Sequence, residues 1–327
     1  MSAAPARQLL PADLEAGILR LKEERNAVLL AHYYQESEIQ DLADVVGDSL
    51  QLARAAQKVD RDVIAFCGVH FMAETAKILN PGKTVVVPDL AAGCSLADGC
   101  PADAFEEFKA RHPGAVVVSY VNCSAAVKAL SDVIVTSSSA EAIINQLPAD
   151  QKILFAPDRH LGAYLARKTG REMELWPGTC VVHEQFSEKA LVELKIDHPD
   201  AVVLAHPECP EAILARADHV GSTSSILREV QHNPALTFLI ATEPGIIHQM
   251  EKLAPGKTFI GVPGGSGECA CNTCPYMKRN TLEKLHACLR DGRPELQLDE
   301  ALRVAAERPL RRMLEMTMPS PHPPTGD

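Results

Sequence analysis

Apolar and polar positions along the chain follow one pattern three times. The segments Ala27-Val-Leu-Leu-Ala-His32-Tyr-Tyr34, Ala115-Val-Val-Val-Ser-Tyr120-Val-Asn122 and Ala201-Val-Val-Leu-Ala-His206-Pro-Glu208 align without gaps. Each opens on a short, nearly continuous apolar run, the signature of a strand buried on both faces in a parallel sheet. Each closes on two polar positions two residues apart. His32, Tyr120 and His206 hold the first, spaced by 88 and 86 residues; Tyr34, Asn122 and Glu208 hold the second.

Seventeen residues past the first polar position come Ser49, Ser137 and Thr223, in Gly-Asp-Ser, Val-Thr-Ser and Gly-Ser-Thr. Each lies between a short apolar run and a helical stretch (50–58, 139–146, 225–230), which reads as helix N-cap chemistry. A third strand follows (63–66, 153–156, 237–241), then a helix, then a fourth strand closing at Pro88, Pro177 or Pro263. A charged amphipathic helix opens each copy, over 12–24, 103–111 and 184–197. This alternation predicts an α/β fold: three homologous three-layer α/β/α sandwich domains with small parallel sheets of about four strands, in a pseudo-threefold arrangement. The expected units are 12–97, 98–182 and 183–318, the last carrying the C-terminal cysteine motif and helices. Residues 319–327, rich in proline, should be a disordered tail. Ligands of parallel sheets bind beyond the carboxyl ends of the strands, so the polar positions should converge on one central site.

Composition narrows the chemistry. With 46% apolar residues in 327 the chain can bury a sizeable core, and a net charge of −11 excludes a basic surface for nucleic acid. Residues 1–11 hold no apolar signal core, and no run of about 18 apolar residues suggests a membrane span. The expected location is the cytoplasm, where disulfides do not persist, so ten cysteines need another reason. After its fourth strand each copy offers a cysteine: Cys94, Cys180, and a cluster of Cys269, Cys271 and Cys274. One thiolate per repeat on a common axis makes a three-thiolate metal site. The Cys271-x-x-Cys274 pair supplies half a zinc site but lacks a matching second pair. Soft thiolates also suit a 4Fe–4S cluster, and three protein ligands would leave one iron open as a Lewis acid. Cys67, Cys100, Cys123, Cys209 and Cys288 read as packing residues; Cys269 and Cys271 are candidates for a redox pair with each other or with Cys274.

The strand-end set of His32, Tyr34, Tyr120, Asn122, His206 and Glu208 offers imidazoles, a carboxylate, phenols and an amide for proton transfer and for orienting carbonyls. Ser49, Ser137, Ser222 and Thr223 at helix N-termini suit carboxylate or phosphate ligands. His183 and Glu184 follow Cys180 closely enough either to reach the metal region or to start a helix. Gly264-Gly-Ser-Gly267 lacks the Gly-Lys-Ser/Thr of a nucleotide-phosphate loop.

Ala31-His-Tyr-Tyr-Gln35, Gly47-Asp-Ser-Leu50, Gly68-Val-His-Phe-Met-Ala-Glu74, Val121-Asn-Cys-Ser-Ala125, Ala156-Pro-Asp-Arg-His-Leu161, His206-Pro-Glu208, Gly221-Ser-Thr-Ser224 and the terminal Cys-Pro-Tyr-Met277 together resemble the quinolinate synthase family, over residues 12–316. The resemblance implies condensation of iminoaspartate with dihydroxyacetone phosphate to quinolinate for NAD biosynthesis, and a functional link to an iminoaspartate-producing enzyme. It implies a 4Fe–4S cluster on Cys94, Cys180 and Cys274. It also implies proton transfer by Glu208, Tyr34 and His32 with His206 nearby, and substrate held by Tyr120, Asn122, Ser49, Ser137, Ser222 and Thr223. One branch of the family has Cys-x-x-Cys-x-x-Cys at its end; here Glu268 stands at the first of those cysteines, against any redox switch read from that motif. Two other readings compete: an iron–sulfur hydro-lyase for another small hydroxy acid, and a non-enzymatic iron–sulfur sensor.

Overall fold

The computed structural model describes residues 11–265 and 272–318. Among them lie three four-stranded sheets. The first comprises β1 (Ala27–His32), β2 (Val45–Gly47), β3 (Val63–Cys67) and β4 (Thr84–Val86). The second comprises β5 (Val116–Tyr120), β6 (Val133–Val135), β7 (Ile153–Ala156) and β8 (Met173–Leu175). The third comprises β9 (Val202–Ala205), β10 (His219–Val220), β11 (Thr237–Ala241) and β12 (Thr258–Gly261). Their orders are β2-β1-β3-β4, β6-β5-β7-β8 and β10-β9-β11-β12, and every pairing is parallel. This is the expected α/β architecture, one topology used three times.

Side-chain alternation explains how the three sheets share an interior. Val28 and Leu30 of β1, Val118 of β5 and Leu204 of β9 enter one continuous central core. Their neighbours Leu29 and Ala31, Val117, and Val203 and Ala205 point the other way, into three separate outer cores. Continuous apolar runs are needed because both faces are covered. Cys67 and Cys288, Cys209, and Cys100 and Cys123 are buried in those outer cores.

A further element repeats with the sheets. Asp44, Asp132 and Asp218 each precede the second strand of a unit. Each carboxylate accepts a hydrogen bond from a backbone N–H of the first strand, at Leu29 (2.7 Å), Val117 (2.8 Å) and Val203 (2.8 Å). Each aspartate N–H returns a bond to that same residue's carbonyl at 2.9 Å. The pair replaces a ladder rung where the short second strand has not begun.

The helices differ from expectation in several places. Ser49 and Thr223 are not caps: Asp48 caps the helix Ser49–Lys58 with a full capping box, and Ser222 caps Thr223–His232. The middle helix runs Ala140–Ile144 with Ser139 at its N-cap, leaving Ser137 two residues upstream. The helix expected over 184–197 begins only at Glu188, where Ser187 caps it; His183–Gln185 form a separate 3-10 turn. Short helices also join the first and second strands of each unit (Ser37–Leu42, Ala125–Leu130, Glu211–Leu214), where none was anticipated.

The chain's last helices return to its beginning. Leu282–Asp291 packs on Pro11–Glu24, and Glu300–Met316 packs on Ala125–Leu130 and β6. Ala306, Leu310 and Met313 complete the central core. The helices assigned in sequence to the third unit therefore pack on the first and second. Residues 319–327, Glu268, Cys269 and Cys271 lie outside the described residues, and with them the expected tail and redox pair.

Candidate active site

The carboxyl ends of the three sheets meet around one cavity of about 710 Å³ counting its mouth. His32, Tyr34, Ser49, Tyr120, Asn122, Ser137, His206, Glu208, Thr223, Cys94, Cys180 and Cys274 all line it. Ser222 does not; its hydroxyl is engaged as the cap, accepting from Ser225 N–H. Because Asp48 and Ser222 take the capping roles, the Ser49 and Thr223 hydroxyls at the first helical position are left for a ligand. Among the described residues no Lys or Arg lines the cavity, so anionic groups would be met there by hydroxyls and helix N-termini.

The two strand-end histidines are built alike. His32 Nδ1 accepts from Tyr34 N–H at 3.2 Å, and His206 Nδ1 accepts from Glu208 N–H at 3.4 Å. Each backbone N–H thereby assigns the proton of a neutral ring to Nε2. His206 Nε2 then donates to Ser137 Oγ at 3.3 Å. Burial lowers both imidazoles to about 3, with neighbouring His206 adding to the effect on His32 and His183 to that on His206. In the second unit Tyr120 stands in place of histidine and donates its hydroxyl to Glu208 Oε1 at 2.7 Å.

Glu208 is the centre of this network. Its other oxygen receives His183 Nδ1 at 2.9 Å. Burial alone would favour the neutral acid, but His183 and His206, with hydrogen bonds from His183 and Tyr120, hold the carboxyl well below the usual carboxylate range. The phenols of Tyr34 and Tyr120 are pushed the opposite way, well above their ordinary value, chiefly by burial. His183 also lies 3.2 Å from Cys180 Sγ through Nδ1 and 3.0 Å from Thr242 Oγ1 through Nε2, and stacks on His206 with centroids 4.8 Å apart. This settles its two alternatives: His183 reaches the site and starts only a single turn.

The three thiols share one local design. Each cysteine heads a helical turn in which the N–H four residues on bonds to the cysteine carbonyl: Asp98 to Cys94 (2.9 Å), Glu184 to Cys180 (2.9 Å) and Lys278 to Cys274 (3.2 Å). Backbone N–H groups of Leu96 and Ala97 point at the Cys94 sulfur, that of His183 at Cys180, and those of Tyr276 and Met277 at Cys274. Burial nonetheless raises all three thiols, Cys94 to about 12, and the charges of Cys274 and Glu208 add to the rise at Cys94. Three soft donors, each with N–H groups aimed at sulfur yet held protonated by burial, fit a cationic iron–sulfur group that would draw them to thiolates. Cys180, His183 and Glu208 also bring donor atoms within 4.8 Å of one another, but the hydrogen bond between His183 and Glu208 already employs that pair.

Two contributors went unread in the sequence. Thr242 and Glu243 directly follow β11, the third strand of the third unit. Glu243 is wholly buried and accepts from Cys274 N–H at 3.3 Å and from Gly245 N–H at 2.7 Å, with Lys278 Nζ 3.5 Å away. Gly245 lies so close to the Tyr34 backbone that a Cβ would come within 3.0 Å of it. Extending the strand-end rule from first strands to third strands would have found both polar residues.

A family model described as quinolinate synthetase A protein matches residues 16–315. The quinolinate synthase of Synechococcus sp. is 59% identical over 308 residues, covering 94% of this chain and 96% of that protein. The quinolinate synthase of Nostoc punctiforme is 60% identical over 309 residues, covering 94% and 95%. That of Synechocystis sp. is 58% identical over 314 residues, covering 96% and 98%.

Proposed function

The chain belongs to the quinolinate synthase family, and we propose that it condenses iminoaspartate with dihydroxyacetone phosphate, using a 4Fe–4S cluster held by Cys94, Cys180 and Cys274. It is an enzyme of NAD biosynthesis, a quinolinate synthase. The observation that carries the finer reading is the convergence of one buried thiol and one polar strand-end pair from each unit on a single cavity. An iron–sulfur hydro-lyase for another hydroxy acid or a sensor would share the thiols, but neither is favoured by the family.

A cluster bound by those three thiolates supplies Lewis acidity toward a carbonyl or a departing hydroxyl. Everything else falls to side chains. The Ser49 and Thr223 hydroxyls, at the first turns of ten-residue helices, receive substrate carboxylate or phosphate. Asn122 Oδ1 is buried with no partner among the described residues and accepts a substrate N–H or O–H. Neutral His32 offers Nε2–H to a substrate oxygen, and His206 orients the Ser137 hydroxyl toward the substrate. Glu208, ionised and oriented by His183 and Tyr120, takes a proton from carbon, and Tyr34 delivers a proton to a leaving oxygen.

No helix of the described residues is long and apolar enough to cross a membrane. We place the enzyme in the cytoplasm beside a supplier of iminoaspartate, with neither nucleic acid nor membrane as partner. Anaerobic, reconstituted protein incubated with iminoaspartate and dihydroxyacetone phosphate should yield a pyridine dicarboxylate and inorganic phosphate. Loss of water from a hydroxy acid without ring formation would replace this reading by the hydro-lyase.

A further inference from the structure

Two helix starts that face the cavity are tied to each other across a unit boundary. Asp48, Thr136 and Ser222 hold equivalent cap positions in the three units, spaced by 88 and 86 residues. The Thr136 hydroxyl bonds within its own turn, to Ser138 Oγ at 2.9 Å and Ser139 Oγ at 3.0 Å. Asp48 reaches further. Its Oδ1 accepts from Gln51 N–H of its own helix at 2.8 Å, and its Oδ2 accepts the hydroxyl of Ser224, in the third unit, at 2.7 Å. Both residues are buried. With its hydrogen given to Asp48, Ser224 Oγ accepts from the Ser222 hydroxyl at 3.1 Å, and Ser222 Oγ accepts from Ser225 N–H at 3.3 Å. The bonds therefore run in one direction, from the cap of the third unit's helix to the cap of the first. Asp48 is itself held, since its N–H donates to Gln51 Oε1 at 2.9 Å and that oxygen also accepts the Tyr33 hydroxyl at 2.9 Å.

We propose that Asp48 and Ser224 are positioning residues: they clamp the helices Ser49–Lys58 and Thr223–His232 together, fixing the separation at which the Ser49 and Thr223 hydroxyls meet a substrate. The clamp rests on the roles given above to those two hydroxyls. Each clamp residue adjoins the hydroxyl it places, Asp48 preceding Ser49 and Ser224 following Thr223. Asp48 reaches the cavity wall, but both its oxygens are engaged, and Ser224 does not line the cavity. Neither has a hydrogen to offer a ligand. The carboxylate also lies at the N-terminal ends of both ten-residue helices, whose partial positive charges attract it. Two helix ends that would repel across the boundary are thus joined by one negative group.

Ser224→Ala removes the bond between units and leaves both caps in place. In the cluster-loaded enzyme KM for at least one substrate should rise about 5- to 20-fold, with kcat changed less than about threefold. Asp48→Asn keeps Oδ1 as the cap and offers an amide N–H to Ser224 Oγ, so its KM values should stay within about threefold of the parent. In a Ser49→Ala/Thr223→Val background, Ser224→Ala should cost less than about twofold more, because no hydroxyl is left to place. Melting temperature and iron and sulfide content identify any variant that has merely failed to fold or load. A readout free of substrate is amide hydrogen exchange over residues 48–52, in the unit opposite the substitution, which should quicken at least about fivefold in Ser224→Ala. The proposal is overturned by Ser224→Ala KM values within about twofold of the parent for both substrates, by an undiminished rise in the Ser49→Ala/Thr223→Val background, by Asp48→Asn behaving as Ser224→Ala does, or by unchanged exchange over 48–52. Should the exchange respond as stated while the parent makes no quinolinate, the clamp stands and the functional reading falls.

Discussion

Replacing Glu208 by glutamine tests the site where its geometry is most demanding. The carboxylate accepts from Tyr120 Oη at 2.7 Å and from His183 Nδ1 at 2.9 Å. Glutamine keeps one acceptor, so its carbonyl can serve Tyr120, but its NH₂ then confronts the N–H of His183. Relief requires the imidazole or the amide to turn, which disturbs the His183 contacts with Cys180 and Thr242. The variant thus loses both the base and the arrangement around it. Two charge-assisted hydrogen bonds of about 1.5–3 kcal/mol each are weakened, but a buried charge is also removed, and the two effects largely offset. The melting temperature should therefore shift by only a few degrees, about 2–4 °C per kcal/mol for chains somewhat smaller than this one. Turnover should fall at least about 100-fold, or about 2.7 kcal/mol of barrier, the lower end for loss of a general base. The assay is quinolinate formation under anaerobic conditions by protein with a measured iron and sulfide content. Turnover within about tenfold of the parent, with the cluster full and the fold intact, would refute the assignment and move the base to Tyr34 or His32.

Two other outcomes follow from the same structure. Serine replacing Cys94, Cys180 or Cys274 should each abolish iron and sulfide binding on reconstitution, whereas Cys209→Ser, in an outer core, should leave both unchanged; a cluster surviving Cys274→Ser would break the ligand assignment. Arg303 is buried and bonded to Glu300, to Glu307 and to the Ile78 carbonyl at 3.1 Å, and although burial opposes ionisation, it holds Glu307 below the usual carboxylate range. A depressed carboxyl adds stability above its unfolded pKa, near 4.3, and that stability is lost as pH falls through the folded value. Melting temperature should drop on acidification below about pH 5, and Arg303→Met should blunt the drop; an equally steep acid limb in the variant would remove this pair from the account.

The strands were legible because their information is local. Runs such as 63–67 and 238–241 are apolar throughout, are too short for helices, and recur at nearly constant spacing, so number, order and strand-end residues could be read in one dimension. Helix starts were less so. Gly-Asp-Ser and Gly-Ser-Thr each offer two capping side chains, and only backbone geometry decides that Asp48 and Ser222 cap while Ser49 and Thr223 face the cavity. The same limit applied to 184–197, where a charged run looked helical throughout but Ser187 made the better start.

By itself, then, the chain's pattern determined three repeated parallel sheets and the polar and thiol positions at their ends, since period and burial write those into neighbouring residues. Tertiary structure alone decided that helices 282–291 and 300–316 close on the first two units, that Thr242 meets Tyr34 and His183, and that Glu208 has His183 and Tyr120 as its donors. Those contacts join residues from different units, and their energies depend on distance and direction between side chains that no local periodicity records.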